Sequence, residues 1–512
     1  MRNILLLAVL GIFLFIVGNN QFTMFDNSET HGSMVAREIV TLKDPFTMHS
    51  NGKAWFVHPP LSYWLQSATC QLFGWTDFNL RLNEALFGIL GLIVTFMIGR
   101  LFLAESVALA GSLILGSSMY YFVIARMAIF DTILNTFILL AIYFFFKAYL
   151  NPQKKGRYFL GYALATVLAV LSKGPIGLVQ PGMIIVPFLL IKKDLKFLFD
   201  KRVGLNFLLF LALATPWYLY ELYLHGIQFF NVALKDYTWF RFFGVVESQP
   251  GPWYYYVPAL LFFFPWVFHI PSTLKSGWSS TPQNRDFLLF SWLFIGICFV
   301  FFSFAGTKQP NYIISIFPFL SLLMAQSLFE TASKRWVVVE ALITFLFALI
   351  LTVFVTKMAL PDMYAADRPL LIWFFGIPSA TALIALIGYG WNKARGLVTV
   401  QVVGTLVWLF FMTFIFFPAI EKYKDSATFV KAIKAEKITN YALVNYNGYS
   451  PYLMYYLDRV VKHTDSLDEV RQSLKPSGVY YLIVGKSFNE KIKNLKHITD
   501  GYQQSLYKVT VP

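Results

Sequence analysis

The chain has 512 residues, 57% of them hydrophobic and 13% charged, with a mean hydropathy of +0.58. A soluble domain carries roughly 25% charged residues, so the composition excludes one and predicts a polytopic membrane protein. The formal charge of +15 does not point to nucleic acid, because the Lys and Arg residues fall mostly in short loops between apolar runs.

Crossing a ~30 Å hydrocarbon core takes about 20 helical residues. Runs of that kind lie near 3–21, 83–103, 105–124, 130–150, 157–172, 174–191, 203–224, 254–273, 286–305, 310–329, 336–357, 370–390 and 397–418. That makes about thirteen transmembrane helices. The first run ends in Gly18-Asn19-Asn20-Gln21, a poor cleavage site, so an uncleaved first span is expected. Cys70 and Cys298 are the only cysteines; neither a disulfide framework nor a cysteine-based metal site is indicated.

Loop charge sets the orientation. Alternate loops hold Lys154, Lys155 and Arg157; Lys192, Lys193, Lys196, Lys201 and Arg202; Lys334 and Arg335; and Lys393 and Arg395. The opposing loops hold mainly Arg126, Lys173, Lys308, Lys357 and Arg368. The cation-rich set belongs in the cytoplasm. The N-terminus is then inside, while the loop 22–82, the loop 225–253 and the tail lie outside. From residue 419 the composition turns soluble. Segments 441–446 and 479–484 are expected as strands, and 425–436 and 466–474 as amphipathic helices. The expected organisation is a transmembrane unit, 1–418, followed by a small extracytoplasmic α/β domain, 419–512, that carries no catalytic motif.

The first outer loop holds the densest cluster of ionisable and capping residues, Phe25-Asp26-Asn27-Ser28-Glu29-Thr30-His31, with His58-Pro59-Pro60-Leu61 further on. Asn27 or Ser28 caps a helix with Val35, Ile39 and Leu42 on one face. Pro59-Pro60 opens a second, with a stripe of Leu61, Trp64, Leu65, Ala68 and Leu72. Both are expected along the membrane surface. Capping and dipole compensation account for Asp26 or Glu29 taken singly; together with the rest of the outer face they read as candidate catalytic acids.

The outer face also holds cations where orientation rules do not favour them. Lys173 lies in Ser172-Lys173-Gly174-Pro175, Lys308 and Tyr312 in Gly306-Thr307-Lys308-Gln309-Pro310-Asn311-Tyr312, and Arg241 in the second loop. Lys and Arg hold phosphate by charge-assisted hydrogen bonds, and a Tyr hydroxyl adds a neutral donor. Snorkelling lysines at helix ends are the plainer alternative. Asp131 opens a span, as a cap or as an acid orienting Arg126 or a substrate hydroxyl.

Asp26-x-x-Glu29 after the first span, Pro59-Pro60-Leu61-x-Tyr63-Trp64-Leu65, Phe73-Gly74 and Arg81-Leu82 resemble the integral membrane glycosyltransferases of the type C fold. The similarity is to the branch of protein mannosyltransferases and lipid A aminoarabinose transferases, and covers roughly residues 1–330. His58-Pro59-Pro60-Leu61 resembles the mannosyltransferase form. Lys173-Gly174, Pro252-Trp253-Tyr254-Tyr255 and Lys308-x-Pro310-x-Tyr312 resemble the aminoarabinose branch. The resemblance implies a polyprenyl-phosphate-sugar donor, an inverting displacement, and a lipid, glycan or protein acceptor at the outer face of the bacterial inner membrane. It maps Asp26 to the loop acid, Asp131 to a second functional acid, and Lys308, Tyr312 and Arg241 to the lipid phosphate.

Two departures bear on the site. The aminoarabinose branch has Glu-Lys before Pro-Pro, where this chain has Val57-His58, and a histidine of its large outer loop is replaced here by Gln249 or displaced. The expected ligands of a divalent metal are therefore unmatched, and no cofactor is assigned. His58 replaces the missing cation only when protonated, from a reference pKa of about 6.5. The competing class is a transporter or flippase for lipid-linked sugars. Such proteins place ionisable groups near the midplane and show repeated halves; here the span centres are almost free of charge and no repeat is evident.

Overall fold

The computed structural model describes residues 1–25, 29–244, 251–275, 282–331, 333–358, 365–446, 450–459, 461–474, 478–486, 495–501 and 503–510. Asp26 and Gln249 lie outside the described residues, as do Asn27 and Ser28.

The architecture is mainly helical. α1 (Arg2–Gly11) leads to the loop 22–82, which carries α2 (Thr30–Thr41), a two-strand hairpin of β1 (His49–Ser50) and β2 (Lys53–Ala54), and α3 (Leu61–Phe73). Both loop helices sit where periodicity predicts them; α2 has Glu29 at its N-cap position, without a side-chain cap bond, and α3 follows Pro60. α4 (Asp77–Gly99) is capped by Thr76, whose side chain accepts from the Asn79 N–H. It begins six residues ahead of the expected run, because Arg81 and Glu84 are buried among neighbouring elements and the apolar pattern does not register them. α5 (Glu105–Gly116) and α6 (Met119–Ile124) divide the expected 105–124 run at Ser117-Ser118, where Ser118 caps α6. α7 (Asp131–Leu150), α8 (Lys155–Lys173), α9 (Ile176–Ile191) and α10 (Lys201–Phe229) follow.

One further run differs from expectation. The 254–273 run is two short helical stretches, Tyr256–Phe263 and Trp266–Lys275, bent by 107°. Pro265 removes a backbone donor at the break. The 370–390 and 397–418 runs fall on the two arms of Arg368–Phe411, which is broken between them at Asn392 and Lys393, where the φ of Lys393 is +47°. Among the described residues six helices are long and apolar enough to cross a membrane, or seven if the bent pair counts as one span. One continuous buried core joins α4, α5, α7 and α9 with the helices 282–304 and 316–326.

The C-terminal part contains a five-stranded sheet in the order β4-β3-β5-β7-β6, with β3 (Ala442–Tyr446), β4 (Val461–Thr464), β5 (Val479–Gly485), β6 (Leu495–Asp500) and β7 (Gln504–Thr510). β3 pairs parallel to β4 and β5; β7 pairs antiparallel to β5 and β6. The helices Asp425–Ala435 and Leu467–Ser473 and the strands β3 and β5 coincide with the expected elements. The helix Pro451–Leu457 and strands β4, β6 and β7 were not legible. Met34 of α2 inserts into the core formed by Phe429, Ile433, Tyr452 and Tyr481, and Met24, Cys70 and Leu80 pack with Tyr455, so the loop 22–82 and the C-terminal region share apolar packing.

Candidate functional site

A cavity of about 430 Å³ opens between the segment 56–59, the N-terminal end of α7, the α8–α9 turn, the continuation of α10 and the segment 301–315. Two of its charged side chains stand at helix ends. Asp131 is the first residue of α7, where the helix dipole favours a carboxylate. Lys173 is the last of α8. The tight turn after it needs Gly174, whose φ of +93° is a left-handed conformation. Gly177 then lets α9 cross against the backbone of Ala169, 2.4 Å from where a Cβ would stand.

The mouth is wired by charge. Lys173 Nζ donates to Asp131 Oδ1 at 2.6 Å, and Asn311 Nδ2 donates to Asp131 Oδ2 at 2.7 Å. Arg241 Nε donates to the Tyr312 hydroxyl at 2.8 Å. The Lys173 ammonium and the Arg241 guanidinium lie 5.6 and 5.9 Å from the Tyr312 ring centroid. Two loops are stitched beneath: the Gly306 N–H donates to Phe242 O at 2.6 Å and the Thr307 N–H to Arg241 O at 3.2 Å. A Cβ on Gly306 would meet the Gly244 carbonyl oxygen at 1.8 Å, so that approach requires glycine. Most of the lining is apolar, with Ile138, Val179, Phe242, Phe301 and Phe302 among it.

His58 also lines the cavity. Burial and the charges of Lys173, Arg241 and His31 hold its pKa well below 6.5, so the ring is a neutral member of the mouth and does not supply the missing cation. Lys308 is 7% exposed and does not line the cavity; its ammonium is turned back onto the Ala305 carbonyl, and burial lowers its pKa.

Glu29 was expected beside Asp26 as an acid of the loop; its place in the structure is structural. Both Glu29 and Arg81 are 0% exposed. Arg81 donates to both carboxylate oxygens at 2.8 Å, and the backbone N–H groups of Phe25 and Ala128 add bonds of 2.8 and 2.7 Å. Burial pushes this carboxyl up; the Arg81 charge and the four donors outweigh it and hold the pKa below its usual value. Glu29 does not line the cavity. Asn311 and Tyr237, absent from the candidate set, are part of the site. Asn311 was accessible from its place beside Tyr312; Tyr237 carried no signal. Among the described residues no three His, Cys, Asp or Glu side chains are placed to share a metal ion, and no step is routed through one.

Residues 57–220 match the family described as dolichyl-phosphate-mannose-protein mannosyltransferase. The undecaprenyl phosphate-alpha-4-amino-4-deoxy-L-arabinose arabinosyl transferase of Aeromonas hydrophila is 28% identical over 378 residues, covering 70% of this chain and 66% of the relative. The chain thus matches just under two thirds of that relative's length. The crystal structure of ArnT from Cupriavidus metallidurans bound to undecaprenyl phosphate superposes with a TM-score of 0.81 at 18% identity, over 98% of this chain and 97% of that one. The chain has the fold of that ArnT structure. An archaeal oligosaccharyltransferase from Archaeoglobus fulgidus shares the fold more distantly, with a TM-score of 0.53 at 12% identity over 94% of this chain and 68% of that one. The expected Lys173, Tyr312, Arg241, His58 and Asp131 come together around one cavity, while Glu29 and Lys308 do not line it.

Proposed function

We propose that the chain transfers a sugar from a polyprenyl-phosphate-linked donor to an acceptor at the outer face of the cytoplasmic membrane. The acceptor is a lipid such as lipid A, a lipid-linked glycan or a protein. One observation carries this reading: Lys173, Arg241 and Tyr312 converge over an apolar cavity beside Asp131. Cations and a hydroxyl donor suit a phosphate, and the mostly apolar lining suits an isoprenoid. The positive-inside pattern supports a cytoplasmic N-terminus, an extracytoplasmic C-terminal domain from residue 419 and thirteen spans in 1–418, with short helices completing crossings that no single helix makes.

In this reading the acceptor oxygen attacks the anomeric carbon from the face opposite the phosphate. The carbon–oxygen bond to phosphate breaks, and its electron pair leaves on polyprenyl phosphate, with inversion. Lys173 and Arg241 stabilise the charge that develops there. Asp26 takes the proton of a hydroxyl acceptor; for a phosphate acceptor no base is needed and Asp26 positions it. Asp131 holds Lys173 and, through Asn311, the Tyr312 turn.

Release of free polyprenyl phosphate from a labelled donor tests the reaction. Purified protein should release it only with acceptor present. Asp26→Asn should abolish transfer while leaving donor binding and membrane insertion intact. Unchanged turnover in that variant removes Asp26 from the mechanism, and no release from the intact chain with any of the three acceptor classes removes the reaction.

A further inference from the structure

Residues Phe22–Phe25 form no helix and no strand, yet the segment is not loosely held. Buried backbone N–H and C=O groups need partners, and an irregular segment finds them in side chains. The Thr23 N–H donates to both carboxylate oxygens of Glu421 at 3.3 Å. The Thr23 carbonyl accepts from Lys424 Nζ at 3.0 Å and from Arg81 at 3.2 Å. The Met24 N–H donates to the Tyr456 hydroxyl at 3.0 Å, and the Met24 carbonyl accepts from Lys424 Nζ at 3.4 Å. All four backbone polar groups of Thr23 and Met24 are therefore met by residues 421–456, four hundred positions downstream.

The side chains are held from the same direction. The Thr23 hydroxyl accepts from the Tyr452 hydroxyl at 2.9 Å. Met24 is fully buried against Tyr455 and Cys70. Tyr456 in turn donates to Asp77 at 2.5 Å, so its hydroxyl is aimed by the start of α4. On the far side of residues 26–28, Glu29 returns to the Phe25 N–H. The chain is gripped on both sides of the position that follows Phe25 in the sequence.

We infer that the C-terminal region is a clamp for the first outer loop, with Lys424 and Tyr456 as positioning residues for the chemistry of that loop. The inference rests on the proposed role of Asp26. It gives the region without a catalytic motif a task in the reaction: it fixes where the acid-bearing segment begins. Neither residue lines the cavity, so neither has a direct claim on donor binding.

The test uses full-length protein in lipid nanodiscs, with Tyr456→Phe and Lys424→Met. Tyr456→Phe removes one hydroxyl and keeps the ring packed 4.2 Å from that of Tyr452. Amide hydrogen exchange at Thr23 and Met24 should quicken at least tenfold in both variants. The kcat of transfer should fall about tenfold or more with donor KM unchanged, as expected when a reacting group is misplaced and binding is not. Unchanged exchange at Met24 in Tyr456→Phe overturns the clamp. Faster exchange with unchanged kcat overturns the positioning role. If Lys424→Met does not insert, Tyr456→Phe decides alone. Full activity of Asp26→Asn would sink the acid assignment separately, while the exchange arm still judges the clamp.

Discussion

Two carboxylates of this chain look alike from a distance: Glu29 and Asp131 are both buried, and both are paired with a cation. Their surroundings differ in one respect. Glu29 receives four donors, two from Arg81 and two from the backbone, and faces no cavity. Asp131 receives one cation and one amide, is 4% exposed, and stands on the wall of a cavity. A carboxylate with every direction filled can only hold structure together. One that leaves its cation facing a cavity can exchange that cation with a ligand.

The largest expected effect breaks the Glu29 side. Glu29→Ala strands the Arg81 guanidinium in the interior, and removing one partner of a buried pair costs about 3–5 kcal/mol. Thermal unfolding in detergent should show it, and Arg81→Leu added to Glu29→Ala should recover part of the loss. The pH dependence has a defined sign. The folded pKa lies below the unfolded one, so the unfolded chain binds more protons between the two values. The contribution is complete above about pH 4.3 and is lost as pH falls through the folded value. An unchanged melting temperature in Glu29→Ala would erase the contrast.

Next comes the Asp131 side. Asp131→Asn keeps the shape and an acceptor for Asn311, but releases Lys173 from its counter-ion. On the proposed mechanism kcat should fall about a hundredfold or more, with melting shifted far less than in Glu29→Ala. A variant that unfolds before it loses activity would place Asp131 with Glu29. Tyr312→Phe is milder. The ring stays under Lys173, while the hydroxyl that accepts from Arg241 is lost. Donor KM should rise about tenfold with kcat nearly unchanged, the scale of one hydrogen bond to a charged group.

How much of this was legible in the sequence follows from the reach of each signal. The periodicity of Val35, Ile39 and the stripe after Pro59-Pro60 is local, and α2 and α3 stand where it places them. The strands β3 and β5 are rich in apolar residues and were equally readable; β6, an edge strand with no buried residue and no regular alternation, was not. The motif Asp-x-x-Glu puts two acids three positions apart in the sequence but cannot say which is saturated. That depends on Arg81, 52 positions on. The Lys173–Asp131 pair spans 42 positions, and the grip on Thr23 spans about four hundred. Short-range patterns give elements; pairings of this length come only from the packed fold.

His58 sharpens the comparison from the cavity side, with the smallest effect. Its neighbours Lys173, Arg241 and His31, together with burial, keep the ring neutral in the folded chain, whereas the unfolded chain protonates it near pH 6.5. The sign is that of Glu29, in a higher window: stability is complete above about pH 6.5 and declines as pH falls below it, because the unfolded state takes up a proton that the folded state refuses. His58→Gln removes that difference while keeping a polar side chain at the mouth. Its melting temperature should exceed that of the unmodified chain by about 2–4 °C at pH 5.5 and match it at pH 8. Equal slopes for the two proteins across this range would mean that the folded ring titrates as the unfolded one does, near pH 6.5, and His58 would then join Lys173 and Arg241 as a third cation at the cavity only below that pH.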